Sequence, residues 1–257
     1  MDELENFVDN AFSLVMSGYY STSEHRKRPL LSLRSSLLDD RRIPVIAEFK
    51  RRTPSVRELS SNVSIHQRLG EFVSEGVCGL SVLTEPHRFD GSLENLVIAS
   101  DFGVPLLMKD FIISTDQLDA AYRSGADAAL LILDIFETTR YSIEVLMEHA
   151  HSLGLEVVLE VNSVEQFERA KRSEADIIGI NNRDMRSLVL EDGRCERVLA
   201  SVEKDRPVIG MSGIDTVERA LSILDAGADA VLIGTSLMGG DIGLLRKLRG
   251  ALKERHR

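Results

Sequence analysis

The chain has 257 residues, of which 43% are hydrophobic, and it carries a formal net charge of −10. This size allows a substantial core in one or two domains, whereas the acidic balance argues against a nucleic-acid binder, which needs an excess of Lys and Arg on one face. The acidic amino terminus and the lack of a long apolar run exclude a membrane segment and predict a soluble, cytoplasmic protein.

Residues 1–42 are predicted to form a helical extension. The stretch "ELENFVDNAFSLVMSGYY" spaces its apolar residues at helical intervals, and a basic patch with further leucines follows it. Because its charges are mixed, an amphipathic helix that plugs one end of the following domain is favoured over a membrane helix.

Eight short apolar runs from residue 43 onward are predicted to be strands, separated by segments with helical spacing. The runs are nearly continuous in apolar residues, which is typical of parallel strands covered on both faces. They are IPVIAEF (43–49), CGLSVLT (78–84), VPLLMK (104–109), AALLILD (128–134), EVVLEV (156–161), DIIGIN (176–181), RPVIGM (206–211) and DAVLIG (229–234).

The segments between the runs carry helix-start signals. Segments 114–126, 163–175 and 215–228 open with Ser, Ser and Asp, whose side chains can cap a helix. Eight such strand–helix units over residues 43–257 predict a (β/α)₈ TIM barrel. The alternative, an open doubly wound sheet, would need a glycine-rich turn after the first strand, and "FKRRTPS" contains no glycine.

Polar residues gather where the predicted strands end, which is the end of a TIM barrel that carries its chemistry. Glu48 and Lys50 are two positions apart, so their side chains point the same way, into the barrel if Ile46 does. Close cations shift each other's pKa, which is a way to bring a lysine toward use as a general acid near neutrality. The other polar strand ends are Lys109, Glu160, Asn181, Asn182, Arg183 and Ser212.

The last two strands end in "GMSGI" (210–214) and "IGTSLM" (233–238). Small residues there let a ligand approach backbone N–H groups, and the loops after strands seven and eight are the usual phosphate site of this fold. The segment "GGDIGLLRKL" (239–248) supplies either the short helix of such a site or the last barrel helix.

No metal site is predicted. His149 and His151 lie two apart on a predicted helix and therefore on different faces. Cys78 and Cys195 are far apart without C-x-x-C spacing, so neither a zinc site nor a disulfide framework is indicated.

Taken together, these stretches resemble the indole-3-glycerol-phosphate synthase family of tryptophan biosynthesis. The resemblance runs from the first strand to the last, in family order and spacing. It is carried by IAEFKRRTPS (46–55), LTEPHRFDGS (83–92), PLLMKDFII (105–113), LEVNSVEQFERA (159–170), IGINNRD (178–184), SGI (212–214) and IGTSLM (233–238).

The resemblance implies ring closure of a carboxyphenylamino-deoxyribulose 5-phosphate with loss of CO₂ and water, without cofactor or metal. Lys109 resembles the general acid and Glu160 an acid/base partner, while Glu48 and Lys50 resemble a pair that assists dehydration. Asn181 and Arg183 resemble positioning residues, with Ser212 beside them, and the resemblance places Asn181 and Ser212 in the catalytic set. Implied substrate contacts are Ser55, Phe89, Phe111, Leu131 and Arg183, and implied phosphate contacts are Gly213, Gly234 and Thr235.

The chain departs from the family pattern at two places. The family usually reads Ser-Pro-Ser followed closely by glycine, whereas here Thr53-Pro54-Ser55 continues into Val56, Arg57 and Glu58. The first loop is therefore expected to close differently. Asn162 stands where the family often has histidine.

Two rival functions remain. One is another phosphate-binding barrel, such as phosphoribosylanthranilate isomerase or the tryptophan synthase alpha chain, although neither accounts for Lys50, Lys109 and Glu160 together. The other is a silent barrel that serves as a binding subunit, which fold alone does not exclude. The expected partner is a phosphorylated small molecule, with no nucleic acid and no membrane. The oligomeric state is not set by the sequence, and a monomer is favoured.

Overall fold

The computed structural model describes residues 2–54, 59 and 63–255. Within these residues eight parallel strands close into a barrel in chain order, with the last strand paired to the first. The predicted (β/α)₈ barrel is confirmed. The strands are β1 Ile43–Phe49, β2 Val77–Leu83, β3 Leu106–Lys109, β4 Ala128–Ile132, β5 Glu156–Val161, β6 Ile177–Asn181, β7 Val208–Met211 and β8 Ala230–Ile233.

Helices precede the barrel and alternate with its strands. Those in the described part of the chain are α1 Glu3–Met16, α2 Leu33–Leu37, α3 Ile65–Ser74, α4 Leu93–Ser100, α5 Thr115–Arg123, α6 Leu133–Thr138, α7 Ile143–Ser152, α8 Val164–Lys171, α9 Arg194–Leu199, α10 Val217–Asp225, α11 Thr235–Met238 and α12 Gly243–Arg255. None of these helices is long and apolar enough to cross a membrane.

Alternation along β1 sorts its residues between two apolar layers. Ala47 and Phe49 belong to the layer between the sheet and the surrounding helices, and Ile46 belongs to the barrel interior. Because the side-chain period of a strand is two, Glu48 follows Ile46 to the inside. Both faces of the barrel strands are thus covered, as the continuous apolar runs predict.

Two of the three predicted helix-capping residues are confirmed. The Ser114 and Ser163 side chains accept the N–H groups of Asp116 and Gln166 at the starts of α5 and α8. The third prediction is wrong by one residue, because Thr216 and not the opening Asp215 caps α10.

One predicted strand boundary is corrected, and one open alternative is decided. The run 128–134 stops being a strand at Ile132, and Leu133 already begins α6. The segment 239–248 enters α12, the last barrel helix, whereas the short helix after β8 is α11.

The amino-terminal extension contributes two helices that contact opposite ends of the barrel. At the end where the strands finish, here called the mouth, the Glu3 N–H in α1 donates to the Arg186 carbonyl at 2.9 Å. At the other end, Ser36 Oγ in α2 donates to the carbonyl of Cys78 near the start of β2 at 2.5 Å. The single predicted plugging helix is therefore two helices, and α2 is the one that closes the amino-terminal end of the barrel.

Candidate active site

A cavity of about 380 Å³ opens at the mouth. The polar strand-end residues named from the sequence line it together, although they come from different strands or the loops that follow them, with the exception of Asn182, whose side chain binds the Ser212 carbonyl and the Cys195 N–H instead. The predicted residues in its lining are Glu48, Lys50, Phe89, Lys109, Phe111, Glu160, Asn181, Arg183, Ser212, Gly213, Gly234 and Thr235.

Glu48 lies between two lysines in this cavity. Its Oε1 accepts a hydrogen bond from Lys50 Nζ at 2.7 Å, and its Oε2 forms an ion pair with Lys109 Nζ at 3.2 Å. Burial, which leaves Glu48 only 2% exposed, raises its pKa, but the charges of Lys109 and Lys50 outweigh burial and bring the pKa down to about 2. Glu48 is therefore a carboxylate at neutral pH.

Lys109 remains a cation in the cavity. Burial lowers its pKa, but the nearby carboxylates of Glu48 and Glu160 raise it by more, so the net direction is upward. The expectation that neighbouring cations would bring a lysine of this mouth toward neutrality is thus wrong for Lys109, because the carboxylate between the two lysines compensates their repulsion.

Glu160 is held by the end of β6. The Asn181 side-chain amide donates to Glu160 Oε1 at 2.7 Å, and Asn181 Oδ1 accepts the Arg183 N–H at 2.9 Å. Burial raises the pKa of Glu160, against the lowering influence of Lys109 and the Asn181 hydrogen bond. The two carboxyl groups of the mouth therefore differ, with the pKa of Glu48 depressed and that of Glu160 elevated. Such divergence allows the two carboxyl groups of one site to have different roles.

Arg183 reaches the cavity from the loop after β6. Its Nη1 donates to the Leu188 carbonyl at 2.7 Å, which fixes the direction of the guanidinium group. Partial burial lowers its pKa, but arginine stays charged at any physiological pH. The mouth therefore has a third cation beside the two lysines.

The loops after β7 and β8 meet beside Glu48. Ser236 Oγ donates to the Ile214 carbonyl at 3.3 Å, which connects the two loops. A Cβ added at Gly234 would lie 2.5 Å from Glu48 Oε1 and 3.0 Å from Lys50 Nζ. The close approach of this backbone to charged groups is what glycine permits.

Ser212 and Gly213 turn the backbone sharply after β7. Both have a positive φ, 69° and 70°, and the Ser212 carbonyl accepts the side-chain amide of Asn182 at 3.0 Å. A left-handed conformation is uncommon for a residue other than glycine. The turn directs the backbone at the start of the loop toward the cavity.

Aromatic rings form the apolar wall of the cavity, and sequence reasoning missed one of its supports. Phe89 and Phe111 line the cavity, and Phe7 of α1 stacks on Phe111 with ring centroids 4.2 Å apart and an interplanar angle of 7°. Phe7 is fully buried. Nothing local in the sequence connects Phe7 to a residue about one hundred positions away, so only the folded chain reveals this contact.

The predicted role of Leu131 is corrected. Leu131 lies in the layer between the sheet and the helices, whereas Leu130 and Ile132 line the cavity. The physical reason is the alternation of side chains along β4, since successive residues of a strand face opposite sides of the sheet. Ile132 is in register with Glu160, so the direction of Glu160 could have indicated the correct pair.

Two further groups of residues from the sequence analysis have different outcomes. Ser55 falls outside the described residues, as do Val56, Arg57 and Glu58 of the departing loop, although Thr53 and Pro54 line the cavity. His149 and His151 pair with Asp119 and Asp176, each at 2.9 Å, on different neighbours. Across the described ranges, no group of three or more His, Cys, Asp or Glu side chains is placed to hold a metal ion.

Comparisons with known proteins give a consistent result. The family model described as indole-3-glycerol phosphate synthase matches residues 12–244. The indole-3-glycerol phosphate synthase of Staphylococcus saprophyticus is 32% identical over 247 residues, which cover 93% of each chain. That of Sulfurisphaera tokodaii is 38% identical over 217 residues, covering 83% of this chain and 86% of its own.

Among solved structures, the thiamine phosphate pyrophosphorylase from Pyrococcus furiosus is similar with a TM-score of 0.62 and 19% identity, covering 87% of this chain and 98% of its own. At that identity the likeness shows the barrel fold alone.

Proposed function

The chain belongs to the indole-3-glycerol phosphate synthase family, and from that premise we infer how the residues of its mouth carry out the reaction. The protein is a carboxy-lyase of tryptophan biosynthesis. It closes the ring of 1-(2-carboxyphenylamino)-1-deoxy-D-ribulose 5-phosphate and releases CO₂ and water to give indole-3-glycerol phosphate. Ring closure calls for a general acid, and dehydration calls for a group that exchanges a proton.

We propose Lys109 as the general acid of ring closure. When the aromatic carbon that bears the carboxylate attacks the ketone carbon, the ketone oxygen gains negative charge and needs a proton. Lys109 is a partly buried cation held by Glu48 at 3.2 Å, so it supplies both the positive charge and the proton at that oxygen. Loss of CO₂ then restores the aromatic ring.

The dehydration step needs a group that exchanges a proton and one that stays charged. Glu160, with its raised pKa and its hydrogen bond from Asn181, supports the exchanging role, because proton transfer is most efficient when the pKa lies near the working pH. Glu48, with a pKa of about 2, stays charged, pairs with Lys50 and raises the pKa of Lys109. Within the Glu48–Lys50 pair, Glu48 therefore assists dehydration through its charge and not by exchanging a proton.

Substrate binding is proposed to use the remaining lining. Backbone N–H groups at Gly213, Gly234 and Thr235 are proposed to donate to the phosphate, since two connected loops rich in small residues meet there in the cavity lining. Arg183 and Lys50 attract the anionic groups of the substrate. Leu130, Ile132, Phe89 and Phe111 contact its aromatic ring.

The observation that supports this scheme most directly is the placement of Glu48 between two lysines. The same cavity holds Glu160, whose pKa is raised. The test mixes the purified protein with the carboxyphenylamino-deoxyribulose phosphate in the presence of a chelator and follows indole fluorescence. We expect turnover, and we expect Lys109→Ala to lower kcat by about 10²–10⁴-fold, the usual contribution of a general acid. Lys204→Ala is the matched control, because Lys204 also pairs with a carboxylate, Asp229 at 2.7 Å, but lies outside the mouth.

Unchanged activity in Lys109→Ala would refute the assignment of the acid. If the wild-type protein itself gave no turnover, the barrel would have to serve as a binding subunit. We also propose that the protein is cytoplasmic and monomeric, and sedimentation at several concentrations tests its oligomeric state.

A further inference from the structure

The residue after Lys109 is a buried aspartate without a role in the proposed chemistry. Asp110 is only 3% exposed. Its Oδ2 accepts the hydroxyls of Thr84 at 2.5 Å and Tyr20 at 3.0 Å, and its Oδ1 accepts the Phe111 N–H at 2.8 Å. Both carboxylate oxygens are therefore engaged, although Asp110 borders the cavity. Because both oxygens of Asp110 already accept hydrogen bonds from the protein, direct proton exchange between Asp110 and a substrate is disfavoured.

The network is built to keep Asp110 as an acceptor. Burial raises the pKa of Asp110 to about 6, against the three donors that favour its ionised form. Burial and the charge of Asp110 raise the pKa of Tyr20 far above its usual value, so the Tyr20 hydroxyl keeps its proton and donates. A buried carboxylate with several donors is held in a fixed direction, since leaving any partner unmade would be costly.

The same threonine also holds the backbone of the lysine. The Thr84 N–H donates to the Lys109 carbonyl at 3.2 Å, while its side-chain hydroxyl donates to Asp110. Thr84 therefore fixes both residues of the segment that ends β3. Tyr20 adds a contact from the amino-terminal extension, 90 positions earlier in the chain.

We propose that Asp110, held by Thr84 and Tyr20, is a positioning residue that directs the Lys109 ammonium group at the substrate ketone. The proposal rests on the assignment of Lys109 as the acid. The extension then contributes indirectly to ring closure, because the Tyr20 hydroxyl holds Asp110. A displacement of about 1 Å at a reacting group can cost about a hundredfold in rate, so the loss of a single hydrogen bond in this network is measurable.

The chain offers a matched pair of variants in adjacent tyrosines. Tyr20→Phe removes the hydroxyl that donates to Asp110, and Tyr19→Phe removes a hydroxyl that donates to the backbone carbonyl of Thr84 at 2.9 Å. Each deletes one oxygen from the same segment. The readouts are the single-turnover rate of indole formation with enzyme in excess, the KM and the thermal midpoint.

We expect Tyr20→Phe to lower the single-turnover rate about 5- to 10-fold, in line with the usual net contribution of one hydrogen bond. The KM should change less than about twofold, because Lys109 acts on the transition state and not on substrate binding. Tyr19→Phe should lower the single-turnover rate clearly less than Tyr20→Phe does, because the Tyr19 hydroxyl donates to the Thr84 carbonyl and not to the Asp110 carboxylate. The two variants should have similar thermal midpoints, so that a difference in rate is not a difference in folding.

A second pair tests the other donor. Thr84→Val removes the hydroxyl at nearly constant volume, and Thr84→Ser keeps it. We expect about a tenfold lower single-turnover rate for Thr84→Val and near recovery for Thr84→Ser. Equal rates in the valine and serine variants, or equal rates in Tyr20→Phe and Tyr19→Phe, would overturn the proposal. If Lys109→Ala were fully active, the assignment of the acid would fail instead, whatever these variants did.

Discussion

Replacing Glu48 by glutamine removes the charge that lies between Lys50 and Lys109 while it keeps the size of the side chain. Because the pKa of Glu48 falls from 4.5 to about 2 on folding, ionisation of this carboxyl stabilises the fold. A difference of about 2.5 pKa units at about 1.36 kcal/mol each corresponds to about 3 kcal/mol as an upper bound. Since the folded pKa is the lower one, this stability is complete above pH ~4.5 and is lost as the pH falls toward about 2.

Urea unfolding of wild type and Glu48→Gln between about pH 2.5 and 7 measures this contribution. We expect the variant to be less stable by up to about 3 kcal/mol at neutral pH, with the gap closing below about pH 4.5. Glu203→Gln, at an exposed position, is the control and should show no such pH-dependent gap. A gap of constant size across this range would refute the reasoning, because it would mean that the glutamine disturbs packing and not charge.

The same substitution predicts a change in the activity profile, and three other variants test separate points. Without Glu48 the pKa of Lys109 must fall, so the alkaline limb of kcat in Glu48→Gln should move to lower pH. Asn181→Ala removes a hydrogen bond that lowers the pKa of Glu160, so the acidic limb of kcat/KM should move to higher pH, and an unmoved limb would contradict the role of Glu160. Leu130→Ala should raise KM severalfold, whereas Leu131→Ala should leave KM unchanged and cost about 2–5 kcal/mol of unfolding free energy. The reverse pattern would restore the original assignment of Leu131.

The barrel and most of its mouth could be predicted because both depend on short-range patterns. Continuous apolar runs identify parallel strands, and the carboxyl ends of parallel strands meet at one end of the barrel. Glu48 and Lys50 illustrate this, since a spacing of two places them on one face without any knowledge of the partner strands.

Leu131 shows where the pattern stops being sufficient. Every residue of β4 is apolar and buried, so hydropathy alone does not reveal which members face the interior. The direction is set by the register with β5, where Ile132 pairs with Glu160. In a strand without polar residues, the sequence does not show which alternate residues face the barrel interior.

The protonation states also needed the folded chain. Two lysines near each other suggest a lowered pKa, but the outcome depends on the carboxylate between them. The distances of 2.7 and 3.2 Å from the Glu48 oxygens to the two lysines decide the sign. Residue types can indicate that a site is charged, but only geometry determines which group donates a proton.

The amino-terminal extension connects the two ends of the barrel through one continuous segment. Arg26 and Arg28 both pair with Asp127, each at 2.5 Å, and Asp127 also accepts the N–H of Leu106 at the start of β3. Tyr20, which precedes Arg26 in the same segment, contacts Asp110 just beyond the other end of that strand. The extension therefore fixes β3 at both of its ends. Since β3 carries Lys109, we expect the position of the proposed acid to depend on residues that precede the barrel, a dependence that no motif within the barrel strands reveals.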